Sequence, residues 1–408
     1  MPVSTDEEIV RIAAKGDGVT ASGRFVGGAA PGDIVLADGS LVPGPHRAVP
    51  PCRHFGRCGG CQLQHVDEAE LARFVSERVV HAAAGQGLSP ALTTPPHVSP
   101  PASRRRASLH AGSAGGRIVL GYREQGSHRM VDLAECPVLL PQLAALIAPI
   151  RKLLAQMTSR KGQGVRLAAD VELAMTEQGV DLAIKGFAVE GLTATEAMLD
   201  FARDQGLARL TLDQGYGPEA LWEPEPVSVM LGGLSVGYPP GAFLQATADG
   251  EAALVAAARD WLGGASAVAD LFSGLGTFAF ALAGPVKVLA VEAARDAHLA
   301  CKAAAGRAQL PVHALHRDLF RNPLQPEELD RFDAVQLDPP RAGAREQAAH
   351  LAASKVARIV YVSCNPSSWA RDAATLVAGG YRLKELRPVG QFRWSTHVEL
   401  ASLFVREG

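Results

Sequence analysis

The sequence lacks any apolar run of about 18 residues, the length that a helix needs to cross a bilayer. The stretch Pro137–Ile150 is apolar but too short to span one. The first eight residues are polar and acidic, and they lack the features of a secretory leader. We therefore expect a cytoplasmic protein without a membrane segment, in which disulfide bonds are not expected.

The sequence also lacks a strong charge of one sign, since its formal net charge is −2. A nucleic-acid partner would therefore have to be held by local basic patches. One such patch runs from Pro101 to Met130, where six arginines stand against the single acid Glu124. Internal repeats and long disordered tracts are absent, and a length of 408 residues indicates two or three domains.

The pattern of apolar residues divides the chain into three regions and indicates the α/β class. Residues 1–50 hold short β-type segments between Gly-rich turns, which predicts a small β unit. Residues 51–240 mix strands and helices. From residue 241 to 408, helices alternate with apolar strands, and this alternation predicts a parallel, doubly wound sheet.

Two local predictions concern the middle region. Residues 170–176 and 179–184 resemble an antiparallel pair of strands. A helix is predicted at residues 193–204, because Thr193 with Glu196 three positions later forms a capping-box pattern.

A glycine turn follows the first strand of the C-terminal region, in the segment Asp270–Thr277. Its two glycines, Gly274 and Gly276, let the chain turn tightly and let a ligand approach the backbone. Glu292 ends the next strand, at a spacing typical of an acid that binds ribose hydroxyls. Ala279 replaces the third glycine of a dinucleotide fold. Asp-x-Phe-x-Gly-x-Gly followed by an acid-ended strand resembles the class I S-adenosylmethionine methyltransferases, which have no pyrophosphate to cradle.

Two later strands also end in chemically active groups. The strand at 334–337 runs into Asp338-Pro339-Pro340-Arg341, whose prolines hold the aspartate in an extended turn. The strand at 359–362 runs into Ser363-Cys364-Asn365-Pro366, which places a thiol where ligands bind in open α/β sheets. On its own, a strand-end cysteine is more often simply buried.

Four of the six cysteines form a pattern outside this region. Cys52, Cys58 and Cys61 follow C-x5-C-G-G-C spacing, and Cys136 lies 75 positions further on. Three close thiols with a distant fourth suit an iron–sulfur cluster, with zinc as the alternative and unligated thiols as a third possibility. Cys301 lies in an Ala-rich helix and is expected to be buried.

Together these motifs resemble the RNA 5-methyluridine methyltransferases over nearly the whole chain. The resemblance is carried by five segments: Gly241–Gln245, Asp270–Thr277, Asp338–Gly343, Ser363–Pro366 and His397–Glu399. It implies a C-terminal Rossmann-like doubly wound methyltransferase domain at 241–408. It also implies an α+β central domain at 51–240 that carries an iron–sulfur cluster and binds RNA, and a shortened OB-like β-barrel (TRAM domain) at 1–50.

The resemblance also implies the roles of particular residues. Cys364 is expected to be the nucleophile and Glu399 the base, since addition of a thiolate at uracil carbon 6 activates carbon 5 for methylation and a base must then remove its proton. Thr277 stands where the family usually has Asn. The S-adenosyl-L-methionine contacts are expected to be Gln245, Phe272, Thr277, Glu292, Asp318 and Asp338. The ligands of the [4Fe–4S] cluster are expected to be Cys52, Cys58, Cys61 and Cys136. A basic hairpin with Arg104–Arg106 and Tyr122-Arg123 is expected to lie against the catalytic domain and face phosphates.

We therefore expect a monomeric, S-adenosylmethionine-dependent enzyme that makes 5-methyluridine in RNA, with 23S rRNA favoured and tRNA open. One alternative is an adenine amino-methyltransferase, which also uses an Asp-Pro-Pro turn but needs no thiol. The others are a non-catalytic RNA-binding protein with a methyltransferase fold and a redox iron–sulfur protein.

Overall fold

A computed structural model of the protein describes residues 6–160 and 167–406. Residues 1–5 of the predicted N-terminal unit lie outside the described residues, and they include part of the polar, acidic segment at the start of the sequence. Residues 407 and 408 of the predicted C-terminal domain also lie outside them. No described helix is long and apolar enough to cross a membrane.

The N-terminal region forms one antiparallel sheet in the order β3-β2-β1-β4-β5. Its strands are β1 (Glu7–Ile12), β2 (Gly18–Thr20), β3 (Phe25–Val26), β4 (Ile34–Val35) and β5 (Leu41–Val42). Ile9, Ala29 and Val35 form a core of its own. Such a sheet is compatible with the OB-like unit expected there, while closure into a barrel stays a prediction because β3 and β5 are not paired in the described part of the chain.

The middle region builds a six-stranded sheet with helices on it and a separate hairpin. Its elements are α1 (Glu68–Ala84), β6 (Leu92–Thr93), β7 (His97–Val98), β8 (Arg106–Ala114), β9 (Arg117–Gly121), α2 (Pro141–Ala145), α3 (Ile147–Arg160), β10 (Ala168–Thr176), β11 (Gly179–Lys185), α4 (Leu192–Asp204), β12 (Arg209–Asp213), β13 (Pro218–Trp222), β14 (Ser228–Leu231) and β15 (Leu234–Gly237). The six-stranded sheet has the order β13-β12-β11-β10-β8-β9, and β14 pairs with β15.

The predicted antiparallel pair is confirmed, because β10 and β11 pair from Asp170 with Lys185 to Thr176 with Gly179. The predicted helix is also present as α4, but the capping-box prediction was wrong. The N-cap is Gly191, which has a left-handed φ of 80° and no side-chain cap, so the helix begins at Leu192 and not at a cap on Thr193.

The C-terminal region forms a mixed nine-stranded sheet that includes β6 and β7. Its own elements are α5 (Ala248–Leu262), β16 (Ala267–Leu271), α6 (Thr277–Leu282), β17 (Lys287–Glu292), α7 (Arg295–Arg307), β18 (Val312–His316), α8 (Pro326–Leu329), β19 (Ala334–Leu337), α9 (Arg345–Ala353), β20 (Arg358–Ser363), α10 (Pro366–Ala378), β21 (Tyr381–Gly390) and β22 (Glu399–Arg406). The order is β18-β17-β16-β19-β20-β22-β21-β6, with β7 also paired to β21.

The first five strands of that order are parallel, as the alternating pattern predicted, and β22 joins them antiparallel. The sheet is buried on both faces. Ala269 and Leu271 pack into one apolar layer with α1, α9 and α10, while Val268 packs into the other with α5, α6 and α7. The strand order reverses between β16 and β19, and a doubly wound sheet binds its ligands at this switch point.

Residues assigned to the middle region contribute to two sheets. Helix α1 packs on β21 and α10, and the short strands β6 and β7 extend the edge at β21 in parallel. The chain from about 61 to 99 therefore belongs physically to the C-terminal sheet, while β8 to β13 form the separate one.

Candidate active site

The switch point brings the glycine turn and the Asp-Pro-Pro turn side by side. Leu271 pairs with Leu337 at the ends of β16 and β19, and the amide of Asp338 donates to the carbonyl of Leu271 at 3.2 Å. Gly276 has a φ of 97°, and a Cβ there would lie 2.6 Å from the Phe280 ring, so only glycine fits this turn.

The Glu292 carboxylate is tied to the glycine turn. One oxygen accepts from the amide of Gly274 at 2.8 Å, and the other accepts from the amide of Ala294 at 2.6 Å. The predicted ribose-binding acid and the predicted turn thus form one unit, and Thr277 begins α6 directly behind it.

An aromatic pair lies beside this unit. The rings of Phe272 and Phe320 have their centres 5.4 Å apart. Phe272 has a left-handed φ of 61°, which is costly for a residue other than glycine. Asp318 accepts from the amide of Phe320 at 2.9 Å and fixes that loop. Sequence reasoning missed Phe320, whose only signal was its position two residues after Asp318.

A buried chain of amides holds Asp338. Gln391 donates to Gln245 at 2.7 Å, Gln245 donates to a carboxylate oxygen of Asp338 at 3.0 Å, and Gln391 accepts from the amide of Thr247 at 3.3 Å. Burial raises the pKa of Asp338 to about 7, although the hydrogen bond from Gln245 lowers it. Gln391 was not predicted, since no motif surrounds it.

Strand register brings the predicted nucleophile and base together. Strands β20 and β22 are antiparallel, and their last pair is Ser363 with Leu400, so one step further along the ladder places Cys364 opposite Glu399. Glu399 is buried, with 3% exposed, whereas Cys364 is half-buried.

Burial also sets the acidity of this pair. It raises the pKa of Glu399 to about 8, and the charge of Asp338 adds to the shift. It raises the pKa of the Cys364 thiol to about 11, again with the charges of Glu399 and Asp338 adding, while Arg341 lowers it. The charge of Asp338 thus raises the pKa of both Glu399 and Cys364, and the charge of Glu399 raises that of Cys364. A pKa of about 11 means that the thiol keeps its proton near neutral pH in the free protein.

Asp372 on α10 anchors the loop between Asp338 and α9. One of its oxygens accepts from the Tyr361 hydroxyl and from the Ala344 amide, both at 2.7 Å. The other oxygen accepts from Arg371 at 2.7 Å. A Cβ at Gly343 would come within 2.4 Å of this carboxylate, so the approach of the loop requires glycine.

The same loop is tied to the turn that carries Cys364. The carbonyl of Arg341 accepts from the side-chain amide of Asn365 at 2.9 Å and from the hydroxyl of Ser368 at 2.9 Å. The two strand-end turns are therefore held in one geometry.

The predicted basic hairpin contacts the catalytic domain. Arg105 forms an ion pair with Glu251 and donates to the carbonyl of Gln245. The guanidinium of Arg106 lies 4.4 Å from the ring centre of Phe243. These contacts confirm that the hairpin lies against the catalytic domain.

The four predicted cluster cysteines line a single cavity near the hairpin. Cys52, Cys58, Cys61 and Cys136 surround it, and its remaining wall is largely apolar, with Phe55, Tyr122, Leu133 and Val138. All four are free thiols. Burial raises the pKa of Cys58 and Cys136, and raises that of Cys61 to about 12. Cys301 is buried in α7, as expected.

These thiols do not form a compact site for one ion. Within residues 6–160 and 167–406, no group of three or more His, Cys, Asp or Glu side chains has an arrangement that could hold a metal ion. Four thiolates on a single zinc would each lie about 2.3 Å from the metal and therefore close to one another.

The site lies at the switch point of a doubly wound sheet, beside a glycine turn and a second strand that ends in an acid. These features define a class I methyltransferase domain. A family model described as tRNA (Uracil-5-)-methyltransferase matches residues 313–407. An RNA methyltransferase of Zymomonas mobilis is 48% identical over 400 residues, covering 98% of this chain and 100% of its own. The 23S rRNA (uracil(1939)-C(5))-methyltransferase RlmD of Pectobacterium atrosepticum is 34% identical over 385 residues, covering 90% of this chain and 82% of its own.

The chain therefore belongs to the family of RNA uracil-C5 methyltransferases, which use S-adenosylmethionine, and the resemblance seen in its motifs is confirmed. Among solved structures, the tRNA (uracil-54, C5)-methyltransferase of Pyrococcus abyssi with S-adenosyl-L-homocysteine has a similar fold. The TM-score is 0.75 at 22% identity, with 98% of this chain and 100% of that chain covered.

Proposed function

We propose that the protein methylates carbon 5 of a uridine in 23S rRNA through a covalent bond between Cys364 and carbon 6 of the base. The observation that carries the proposal is the register of β20 and β22, which puts Cys364 opposite Glu399 and beside Asp338 at the switch point. An adenine amino-methyltransferase would need neither the thiol nor the second acid.

In the proposed reaction the chain supplies the nucleophile and the base. The Cys364 thiolate adds to carbon 6, and the electron pair of the carbon 5–carbon 6 double bond moves to carbon 5 and its neighbouring carbonyl. Bound S-adenosylmethionine supplies the electrophilic methyl group that carbon 5 takes up. Glu399 then removes the proton from carbon 5, the double bond reforms, and the thiolate leaves.

The buried setting of Glu399 suits this role. An ordinary glutamate has a pKa of about 4.3 and is a weak base. Burial raises the pKa of Glu399 to about 8, so its carboxylate holds an abstracted proton near neutral pH. Burial raises the pKa of the Cys364 thiol to about 11, so the thiol gives up its proton to solvent as it adds to carbon 6, and the Glu399 carboxylate stays free to take the carbon-5 proton.

We assign the S-adenosylmethionine contacts to the residues around the glycine turn. Phe272 and Phe320 offer apolar ring faces beside it, and the Glu292 and Asp318 carboxylates lie at the ends of successive strands. Gln245 and Asp338 close the other side through their hydrogen bond. Thr277 lies at the start of α6, where its hydroxyl can replace the amide that the family usually has.

We further propose that Cys52, Cys58, Cys61 and Cys136 hold a [4Fe–4S] cluster. The four thiols share one largely apolar cavity, which suits a cluster whose ligands are all thiolates. A four-iron cluster separates its thiolates more widely than a single zinc ion does. The four thiols and the largely apolar lining support the cluster, and zinc is the alternative. The cluster would hold the loops around Cys52–Cys61 against the segment at 136.

The choice of 23S rRNA rests on the relative that acts on it, which is 34% identical over most of both chains. A tRNA substrate is the second candidate, because the Pyrococcus abyssi enzyme with the same fold acts on tRNA.

The test uses 23S rRNA transcribed with 5-fluorouridine, incubated with the purified protein and S-adenosylmethionine. Fluorine at carbon 5 cannot leave as a proton does, so the bond to the enzyme should persist. We expect a denaturant-stable complex whose digest contains the Cys364 peptide joined to methylated fluorouridine. A complex with 5-fluorouridine tRNA alone would move the assignment to tRNA, and the absence of any complex would overturn the covalent mechanism.

A further inference from the structure

We propose that Arg78, Arg104 and Arg341, grouped around His397, form a seat for a backbone phosphate of the RNA next to the target uridine. The inference rests on the proposed function, and it specifies how the nucleotide is held while its base occupies the catalytic pocket.

Contacts join these groups into one cluster. A guanidinium nitrogen of Arg341 lies 3.3 Å from Nδ1 of His397. The His397 ring meets Phe392 edge-on, with ring centres 6.0 Å apart, and the guanidinium carbon of Arg104 lies 5.3 Å from the centre of the Phe392 ring. Arg78 on α1 is linked to the group only by charge, since it lowers the pKa of His397, and its Nε is buried without a hydrogen-bond partner.

This group of three arginines around His397 carries positive charge without a matching acid. The enclosure of the His397 ring lowers its pKa, and the charges of Arg341, Arg104 and Arg78 lower it further, with no acid opposing them. None of the three arginines makes an ion pair with a carboxylate among the residues that the structure describes. Arg105, in contrast, is paired with Glu251 and is not available to an external anion. An anion from outside the chain therefore completes the cluster.

The position of the cluster identifies that anion. Arg341 lies close enough to the nucleophile for its charge to lower the pKa of Cys364, and His397 lies two residues before Glu399. A uridine whose base reaches Cys364 brings its own flanking phosphates to this rim. Guanidinium groups bind phosphate oxygens in a fixed, two-pronged geometry, which suits them for this task.

The test compares R341Q and R78Q with the wild-type full-length protein in binding an oligouridylate strand of about a dozen nucleotides over a range of salt. Each lost phosphate contact on single-stranded nucleic acid lowers the slope of log affinity against log salt concentration by about 0.7. R203Q is the matched control, because Arg203 is an exposed arginine on α4 that is paired with Asp200, far from the seat in sequence. We expect the slope to fall for R341Q and R78Q and to stay unchanged for R203Q. An unchanged slope in R341Q, whose side chain is exposed and whose loss need not disturb folding, would overturn the seat.

A second arm separates charge from other effects. On an oligouridylate with neutral methylphosphonate linkages, wild type and R341Q should bind equally, whereas a persistent difference would show that Arg341 acts without a phosphate. Salt slopes are read without methyl transfer, so they test the seat alone. If 5-fluorouridine RNA formed no covalent complex but R341Q still lowered the salt slope, the covalent mechanism would be wrong and the phosphate seat would stand.

Discussion

The catalytic pocket and the four-cysteine cavity differ in how their polar groups are satisfied. In the pocket, the protein supplies partners for its own acids, since Gln391 bonds to Gln245 and Gln245 bonds to Asp338. In the cavity, Cys61 is buried and Cys136 half-buried in a largely apolar lining, and burial raises the pKa of each. The acids of the first site already have partners within the chain, whereas the thiols of the second are the ligands that we propose for a cluster.

Substitutions in the pocket should change chemistry more than stability, and substitutions in the cavity should change stability and colour more than the chemical step.

Replacing Cys364 with Ala should reduce methyl transfer by more than about 10⁴-fold, because no other group described at the site can add to carbon 6. The measurement is transfer of labelled methyl groups to 23S rRNA, with binding of S-adenosylmethionine as the control for folding. Retained turnover in C364A would favour the amino-methyltransferase alternative.

Replacing Glu399 with Gln should lower turnover by about 10²- to 10⁴-fold and trap a covalent complex on unmodified RNA, because methylation precedes removal of the carbon-5 proton. Denaturing gels should show the trapped species in E399Q and not in wild type. If E399Q turned over normally, another group would have to be the base.

Replacing Cys61 with Ser should remove the visible absorption of an iron–sulfur cluster and lower the melting temperature. The matched control is C301S, because Cys301 is also buried but lies in α7, outside the cysteine cavity. Loss of colour in C61S alone would sharpen the contrast between the two sites. Anaerobically purified wild type without that absorption would remove the cluster from the molecule.

Replacing Asp372 with Asn should lower the free energy of unfolding by about 1–3 kcal/mol, because the Tyr361 hydroxyl, the Ala344 amide and Arg371 lose a charged acceptor. The loop that carries Asp338 should loosen as well, and we expect kcat/KM to fall about tenfold at a temperature where the variant stays folded. D200N, on an exposed carboxylate of α4, is the control. Equal kcat/KM in D372N and wild type would confine Asp372 to stability.

The ionisation of Glu399 links the stability of the protein to pH. The Glu399 carboxyl has a folded pKa of about 8, above the ordinary value near 4.3, so the folded state binds this proton more tightly than the unfolded state does. Its contribution to stability is complete below about pH 4.3 and is lost as the pH rises through 8. Melting temperatures of wild type should therefore decline between pH 5 and 9 more steeply than those of E399Q. If the melting temperatures of wild type and E399Q fell equally with pH, ionisation of Glu399 would not change the free energy of unfolding.

The sequence predicted most of the C-terminal sheet because buried parallel strands are short apolar runs that end in functional groups. The strand predicted at 334–337 has the bounds found in β19, and the strand predicted at 359–362 lies within β20 (Arg358–Ser363). The pairing of Cys364 with Glu399 was predicted only through the family motif, since nothing local ties residues 35 positions apart.

Other features had no local signal. Gln391, Phe320 and Asp372 are single residues whose roles depend on contacts from distant strands. Strands β6 and β7 have two residues each, too few for any periodic pattern, and they form only because β21 presents a free edge. The N-cap of α4 at Gly191 was missed because backbone conformation, not a side chain, sets that cap.

The docking of β6 on β21 also constrains how the protein is made. The hydroxyl of Thr94 donates to the carbonyl of Leu386, across 292 residues of chain. At about 5–20 residues per second, the ribosome delivers the second partner roughly 15–60 s after the first. During that interval the segment at 92–98 has no strand to join, and the catalytic domain cannot close its edge until translation is nearly complete.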